Sequence, residues 1–220
     1  MTTILKVLVG SRAHGLADDD YRGVWVRPTS ELLALGAKPQ TTQWTEADKA
    51  RGEKLDDTSW EVGHFLQLAT HCNPSVLEVF AAPVVEIAVP DGHHLRALFP
   101  YLWHPQGVRD AFIGYGLNQR KKFLDDKNRR AAKYAVAYQR VLWQAYHLLI
   151  YGVLRVDVRS DSAMHDRLLR WRRGAYTVGE VVECCVAWEG MVRSAADRCD
   201  HRQDLGPVND YLLDLRRRRW

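Results

Sequence analysis

Gly10-Ser11-Arg12-Ala13-His14-Gly15-Leu16-Ala17-Asp18-Asp19-Asp20-Tyr21-Arg22-Gly23-Val24 is the stretch on which the fold turns. It follows the apolar run Ile4-Leu5-Lys6-Val7-Leu8-Val9 and leads into Gly23-Val24-Trp25-Val26, which Pro28 stops. Both flanks read as buried strands, rich in β-branched residues and short. Where the approach to Val24 is extended, side chains alternate, so Asp18 and Asp20 share one face and Asp19 takes the other. Two carboxylates on one strand face suit Mg²⁺, a hard ion that commonly binds one or two carboxylates plus substrate phosphates. A third carboxylate from a neighbouring strand would complete a two-metal site. Asp57 is the leading candidate, with Asp56 and Glu61 behind it. Taken alone, an acid triplet also reads as a solvated turn.

Gly10-Ser11 weighs against the turn. A strand that runs straight into Gly-Ser leaves free backbone N–H groups, a natural phosphate cradle. Ser11 adds a hydroxyl, and Arg12 or His14 adds charge. The segment is not a Walker P-loop, because no Gly-Lys-Ser/Thr follows, nor a dinucleotide fingerprint, because G-x-G-x-x-G is absent.

Outward from this centre, Thr29-Ser30-Glu31 starts a short helix that Gly36 ends. Residues 37–54 are polar and aperiodic and read as a loop, with strand pairing open around Thr41 to Trp44. Asp57 to Trp60 reads as a third strand. Val62, Phe65, Leu66 and Ala69 have helical spacing, and Asn73-Pro74 opens a second helix through Phe80. From residue 107 the chain turns helical, over Val108 to Asp125, Arg130 to Tyr151, Val178 to Ala196 and Val208 to Arg218. Proline and glycine between Pro90 and Pro105 mark a boundary. The fold class expected is α+β: a small mixed-sheet core over residues 1–100, then a C-terminal helical bundle over 101–220.

The 220 residues are 46% apolar, enough for a proper core, and the net charge is only +4. Acids gather at 18–20 and 46–57. Bases gather at 120–122, 127–133, 167–173 and in the tail Arg216 to Arg219. An acidic front and basic rear suit metals plus a polyanion, although each basic run alone reads more simply as a solvated helix face. No stretch has the length of a membrane span, and the start lacks a signal-peptide layout, so a soluble, cytoplasmic protein is expected. Cys72, Cys184, Cys185 and Cys199 form no C-x-x-C pair and read as buried free thiols. Trp143, Trp171 and Trp188 read as packing residues, whereas Trp60, beside the acids, is the better base-stacking candidate.

Gly-Ser followed closely by Asp-x-Asp, with a later acid on another strand, resembles the nucleotidyltransferase core of the DNA polymerase β superfamily. The closer resemblance is to its RNA-repair-associated bacterial and phage subgroup, carried by Gly10-Ser11-Arg12-Ala13-His14-Gly15 and Asp18-Asp19-Asp20-Tyr21-Arg22-Gly23-Val24. It continues through Asp57-Thr58-Ser59-Trp60-Glu61-Val62, Phe65-Leu66 and Asn73-Pro74-Ser75-Val76-Leu77-Glu78, and more weakly through Lys133 to Arg140. The spacer from Gly15 to Asp18 is short for the family, and His14 stands where an aromatic is usual.

The resemblance implies transfer of a nucleoside monophosphate from an NTP to an acceptor hydroxyl. Asp18, Asp20 and Asp57 would hold two Mg²⁺ ions. Gly10, Ser11 and Arg12 would bind the phosphates, with Lys133 and Arg140 as further cations. Lys133 and Arg140 lie on one side of a helix, two turns apart. An RNA end is the favoured acceptor. Two other readings stand beside it: a protein or small-molecule nucleotidyltransferase of the antitoxin type, and a non-catalytic nucleotide- or RNA-binding module.

Overall fold

A computed structural model describes residues 1–9, 20–36, 41–43, 56–125 and 130–220. Five strands, β1 (Thr2–Val9), β2 (Asp20–Val26), β3 (Thr41–Gln43), β4 (Asp56–Glu61) and β5 (Val84–Ala88), form one sheet in the order β3-β4-β2-β1-β5. The sheet is mixed. β1 runs antiparallel to β2 and β5, β3 antiparallel to β4, and β2 parallel to β4. Ile4, Leu5, Val7, Leu8 and Val9 are buried, as are Val24, Trp25 and Val26, so the central strands carry apolar side chains on both faces.

Short helices follow the strands: α1 (Thr29–Leu33), α2 (Val62–Thr70), α3 (Pro74–Ala81), α4 (Pro90–Ala97) and α5 (Phe99–Leu102). Phe65 of α2 sits between Trp60 and Phe80, with ring centroids at 5.9 and 5.1 Å. Arg96 donates to the carbonyls of Phe80 and Ala82 at 3.0 and 2.9 Å, satisfying acceptors in the last turn of α3 and just past its end. The spacing of residues 62–69 and the Asn73-Pro74 start predict α2 and α3 correctly. β5 and α4 were not expected. Val84, Val85 and Ile87 are largely exposed on an edge strand, so they lack an alternating pattern. Pro90, read as a break, instead occupies the first turn of α4, where its missing N–H costs nothing.

The second half of the chain is helical: α6 (Pro105–Asp125), α7 (Ala131–Tyr151), a 3₁₀ turn (Val158–Ser160), α8 (Ser162–Arg172) and α9 (Val178–Arg198). α7 packs against α6, α8 and α9 and buries Tyr138, Val141, Leu142, Trp143, Leu148 and Leu149. Gly152 ends it with φ +68°, a left-handed cap that glycine adopts without strain. The basic run at 167–173 hid α8, whose Met164, Leu168 and Trp171 are buried at four- and three-residue steps. Asp161 caps α8 by accepting from Met164 N at 3.0 Å, and it also accepts from Trp143 Nε1 at 3.0 Å.

All four cysteines are free; Cys72 and Cys185 are buried as expected, whereas Cys184 and Cys199 are partly exposed. The buried Gln139 amide oxygen accepts from Cys184 and Cys185 Sγ at 3.2 and 3.7 Å. Trp143 and Trp171 are fully buried, and Trp188 packs edge-on to Tyr146 at 5.5 Å. Among the described residues no helix is long and apolar enough to cross a membrane.

A last helix, α10 (Gly206–Arg218), closes the chain. The chain divides into two compact units. The first comprises Met1–His71, Ser75–Trp103 and Gln203–Trp220, the second Cys72–Pro74 and His104–Arg202. The fold is thus α+β, a small mixed sheet followed by a helical region. α10 falls in the unit that holds the sheet. Gln203 Nε2 donates to the carbonyls of Thr70 and Leu102 at 3.0 and 2.6 Å, and Tyr211 donates to the Asp91 carbonyl at 3.0 Å.

Candidate functional site

The register of β2 and β4 decides which acids can meet. Asp20 stands opposite Asp56, and Tyr21 opposite Asp57. Residues level with each other on paired strands project to the same face, and neighbours along a strand to opposite faces. Asp57 therefore shares a face with Tyr21, and Asp20 takes the other. The parity of the pairing sets position 56, the alternative named behind Asp57, level with Asp20.

The Asp57 carboxylate has partners on its own face. Lys6 Nζ lies 2.8 Å from Oδ2, and Ser59 Oγ donates to Oδ1 at 3.2 Å. The Lys6 ammonium also sits 4.8 Å from the centre of the Tyr21 ring. Gly23 makes room for this cluster, since a Cβ there would stand 2.4 Å from Ser59 Oγ. The Arg-Gly pair of the opening motif thus has a packing reason for its glycine. Arg22 Nη1 donates to the Tyr21 carbonyl at 2.8 Å.

Glu61, the other alternative, is committed elsewhere. It is 1% exposed, accepts from Gly63 N at 2.7 Å as the cap of α2, and lies 2.7 Å from Arg216 Nη2. It ends β4, whereas Asp56 starts it. Trp60 is 7% exposed and packed on Phe65, which removes it from base stacking. Glu78 is also buried.

Gly10, Ser11, Arg12 and Asp18, expected to bind phosphate and cation, lie outside the described residues. Lys133 and Arg140 both lie on α7 in the helical unit, Lys133 exposed and Arg140 half-buried. Asp20 and Asp57 belong to the sheet unit. Among the described residues no three His, Cys, Asp or Glu side chains gather to hold a metal ion. The donor chemistry nonetheless fits a hard divalent cation: Asp20 offers carboxylate oxygen at the start of β2, and β4 begins with another aspartate position level with it.

The basic tail is not a free polyanion surface. Arg216 pairs with Glu61, while Arg218 and Arg219 reach Asp91 at 3.0 and 3.3 Å. Burial alone would raise the Asp91 carboxyl, but the hydrogen bonds from Arg218 and Arg219 outweigh it and hold the group below its ordinary range.

One concavity escaped the sequence reading. In the helical unit a cleft of about 510 Å³ is lined by Arg167, Arg170, Thr177, Glu180, Glu183 and Cys184. Its charges largely compensate, since Arg170 is paired with Glu180. Arg167 Nη1 lies 3.4 Å from Cys184 Sγ. Burial pushes the Cys184 thiol above its ordinary range, against the pull of Arg167, so this is not an activated nucleophile.

No curated protein matches the chain. The model of the RNA repair pathway DNA polymerase beta family, RlaP, matches residues 1–184, a span that holds the mixed sheet, the aspartates and the helices through the start of α9, and the chain belongs to that family.

Proposed function

We propose that this chain is a divalent-cation-dependent nucleotidyltransferase that moves a nucleoside monophosphate from an NTP to an acceptor hydroxyl, with an RNA end as the acceptor. Membership of a DNA polymerase beta family supports nucleotidyl transfer, and the family's RNA repair association supports the acceptor. The single observation that carries the reading is the parallel register of β2 and β4, which sets residue 56 level with Asp20 inside the matched span.

Asp18, Asp20 and Asp56 are the residues that would hold the cations. Asp18 comes from the Asp-x-Asp spacing, and Asp56 from the register. A pair of Mg²⁺ ions there would lower the pKa of the acceptor hydroxyl and neutralise charge on the leaving pyrophosphate. The chain's own part is to bring hard oxygen donors from two strands to one place. Backbone N–H groups at Gly10-Ser11 would bind phosphate oxygens, with the Arg12 guanidinium adding charge. The Lys6–Asp57 pair lies on the other face of the sheet and serves to hold Tyr21 and β4 together. Lys133 and Arg140 remain candidates for contact with a polyanion.

The experiment incubates purified protein with α-labelled NTPs, Mg²⁺ and either an RNA pool or a protein pool. Label on RNA that disappears with Asp20→Asn supports the reading. Label on the protein pool instead replaces the acceptor. NTP that binds without transfer to either pool identifies a binding module.

A further inference from the structure

β2 and β4 have no tight turn between them to set their pairing. The chain between them runs through residues 27–55, which include α1 and β3. In a hairpin the loop fixes register, and a slip of one residue moves every side chain to the opposite face. Here such a slip would bring position 57, not 56, level with Asp20. Something other than the connection must hold the pairing.

The clamp sits at the far end of the two strands. Glu61 is the last residue of β4, and Arg27 directly follows β2. Arg216 of α10 touches both. Its Nη2 lies 2.7 Å from the Glu61 carboxylate, and its Nη1 donates to the Arg27 carbonyl at 3.4 Å. Arg216 is itself held from behind, since Thr29 Oγ1 donates to its carbonyl at 2.8 Å. Thr29 N also donates to the Arg219 carbonyl at 2.8 Å. The Arg216 and Glu61 side chains are 17% and 2% exposed, so water competes little for this pair. A planar guanidinium with several fixed donors can bridge two strand ends in this way, and an ammonium offers no such fork. The family match stops at residue 184, so the clamp comes from a segment beyond it.

We infer that Arg216 is a positioning residue: it holds the register of β2 against β4 from the far end of the strands and so keeps position 56 level with Asp20. The inference rests on the proposed reading of these two aspartates as cation ligands. Arg216 acts through the Glu61 carboxylate and the Arg27 carbonyl at the strand ends, and its removal changes where the ligands stand without changing which they are.

The test uses the full chain with Mn²⁺ as the probe. Its dissociation constant is read by electron paramagnetic resonance at a temperature where circular dichroism shows each variant folded. Nucleotidyl transfer is measured in parallel. Arg216→Met is expected to weaken Mn²⁺ binding by about tenfold or more, the range for residues that orient metal ligands from behind, and to lower kcat. Arg216→Lys keeps a charge opposite Glu61 but loses the fork, and falls between Met and wild type. A folded Arg216→Met protein with native Mn²⁺ affinity overturns the inference and leaves the transferase reading standing. If Arg216→Met does not fold, Arg216→Lys decides, because native Mn²⁺ affinity and kcat there mean that Arg216 only stabilises the fold. A wild-type protein that binds no Mn²⁺ overturns the cation reading, and the inference with it.

Discussion

At Asp57 the carboxylate is occupied by Lys6 at 2.8 Å and Ser59 at 3.2 Å, on the face away from Asp20. Two adjacent acids are therefore expected to differ in role. Asp56→Asn, like Asp20→Asn, should lower the rate of nucleotidyl transfer roughly a thousandfold, a few kcal/mol of barrier, measured as initial rate at saturating Mg²⁺. Asp57→Asn should leave the rate within about tenfold of wild type and cost at most about 1 kcal/mol of stability, because its partner Lys6 is 30% exposed. Equal losses in the two variants would contradict the register argument. That neighbours along a strand take opposite faces, as Asp20 and Tyr21 do on β2, is legible in the sequence, since it depends on a strand's own period. The choice among Asp56, Asp57 and Glu61 is not, because parity across two strands depends on a pairing that no short motif encodes. The same limit misled the reading of Trp60, whose neighbour Phe65 is supplied by the next helix.

Single elements are stabilised by a few polar side chains placed at their ends. Asp161 both caps α8 and satisfies the buried Trp143 indole of α7. Its loss in Asp161→Ala removes a cap and orphans a donor, which should cost about 2 kcal/mol in chemical denaturation. Burial alone would raise the Asp161 carboxyl, but the bonds from Met164 N and Trp143 Nε1 outweigh it and hold the pKa below the ordinary 3.8. A carboxyl depressed in the folded state stabilises fully above its unfolded value and loses that contribution as pH falls through its folded value. The helical unit should therefore lose stability below about pH 3.8, and Asp161→Asn should flatten that part of the melting profile. The long helices were legible because three- and four-residue periodicity over 21 residues, as in α7, is unambiguous. α8 was not, because four arginines among residues 167–173 outnumber its three buried anchors in the pattern. β5 was hidden by its exposure at the edge.

In the whole chain the C-terminal segment is the feature that composition disguises. Read as charge, Arg216 to Arg219 resembles a basic tail. In the structure three of these arginines pair with Glu61 and Asp91, and Val208 and Leu215 are buried. A chain ending at residue 202 leaves the buried Glu61 carboxylate without its arginine, a loss of about 3 kcal/mol or more. The expected outcome is a lower melting temperature for the sheet unit and a shallower, less cooperative transition by circular dichroism. An unchanged melt would mean that α10 is an appendage. Contiguous domains are the natural reading of a sequence that turns from mixed to helical near residue 100. The return of the last helix to the first unit is a long-range event that only side-chain pairing reveals. The most direct test of the account is transfer of labelled nucleoside monophosphate to RNA by the full chain in Mg²⁺, compared with Asp20→Asn and Asp56→Asn. Wild type is expected to yield labelled RNA and released pyrophosphate, and both variants to lose roughly a thousandfold in rate. Transfer that survives in both variants, or wild-type protein that binds NTP and RNA without labelling either RNA or protein, would contradict it.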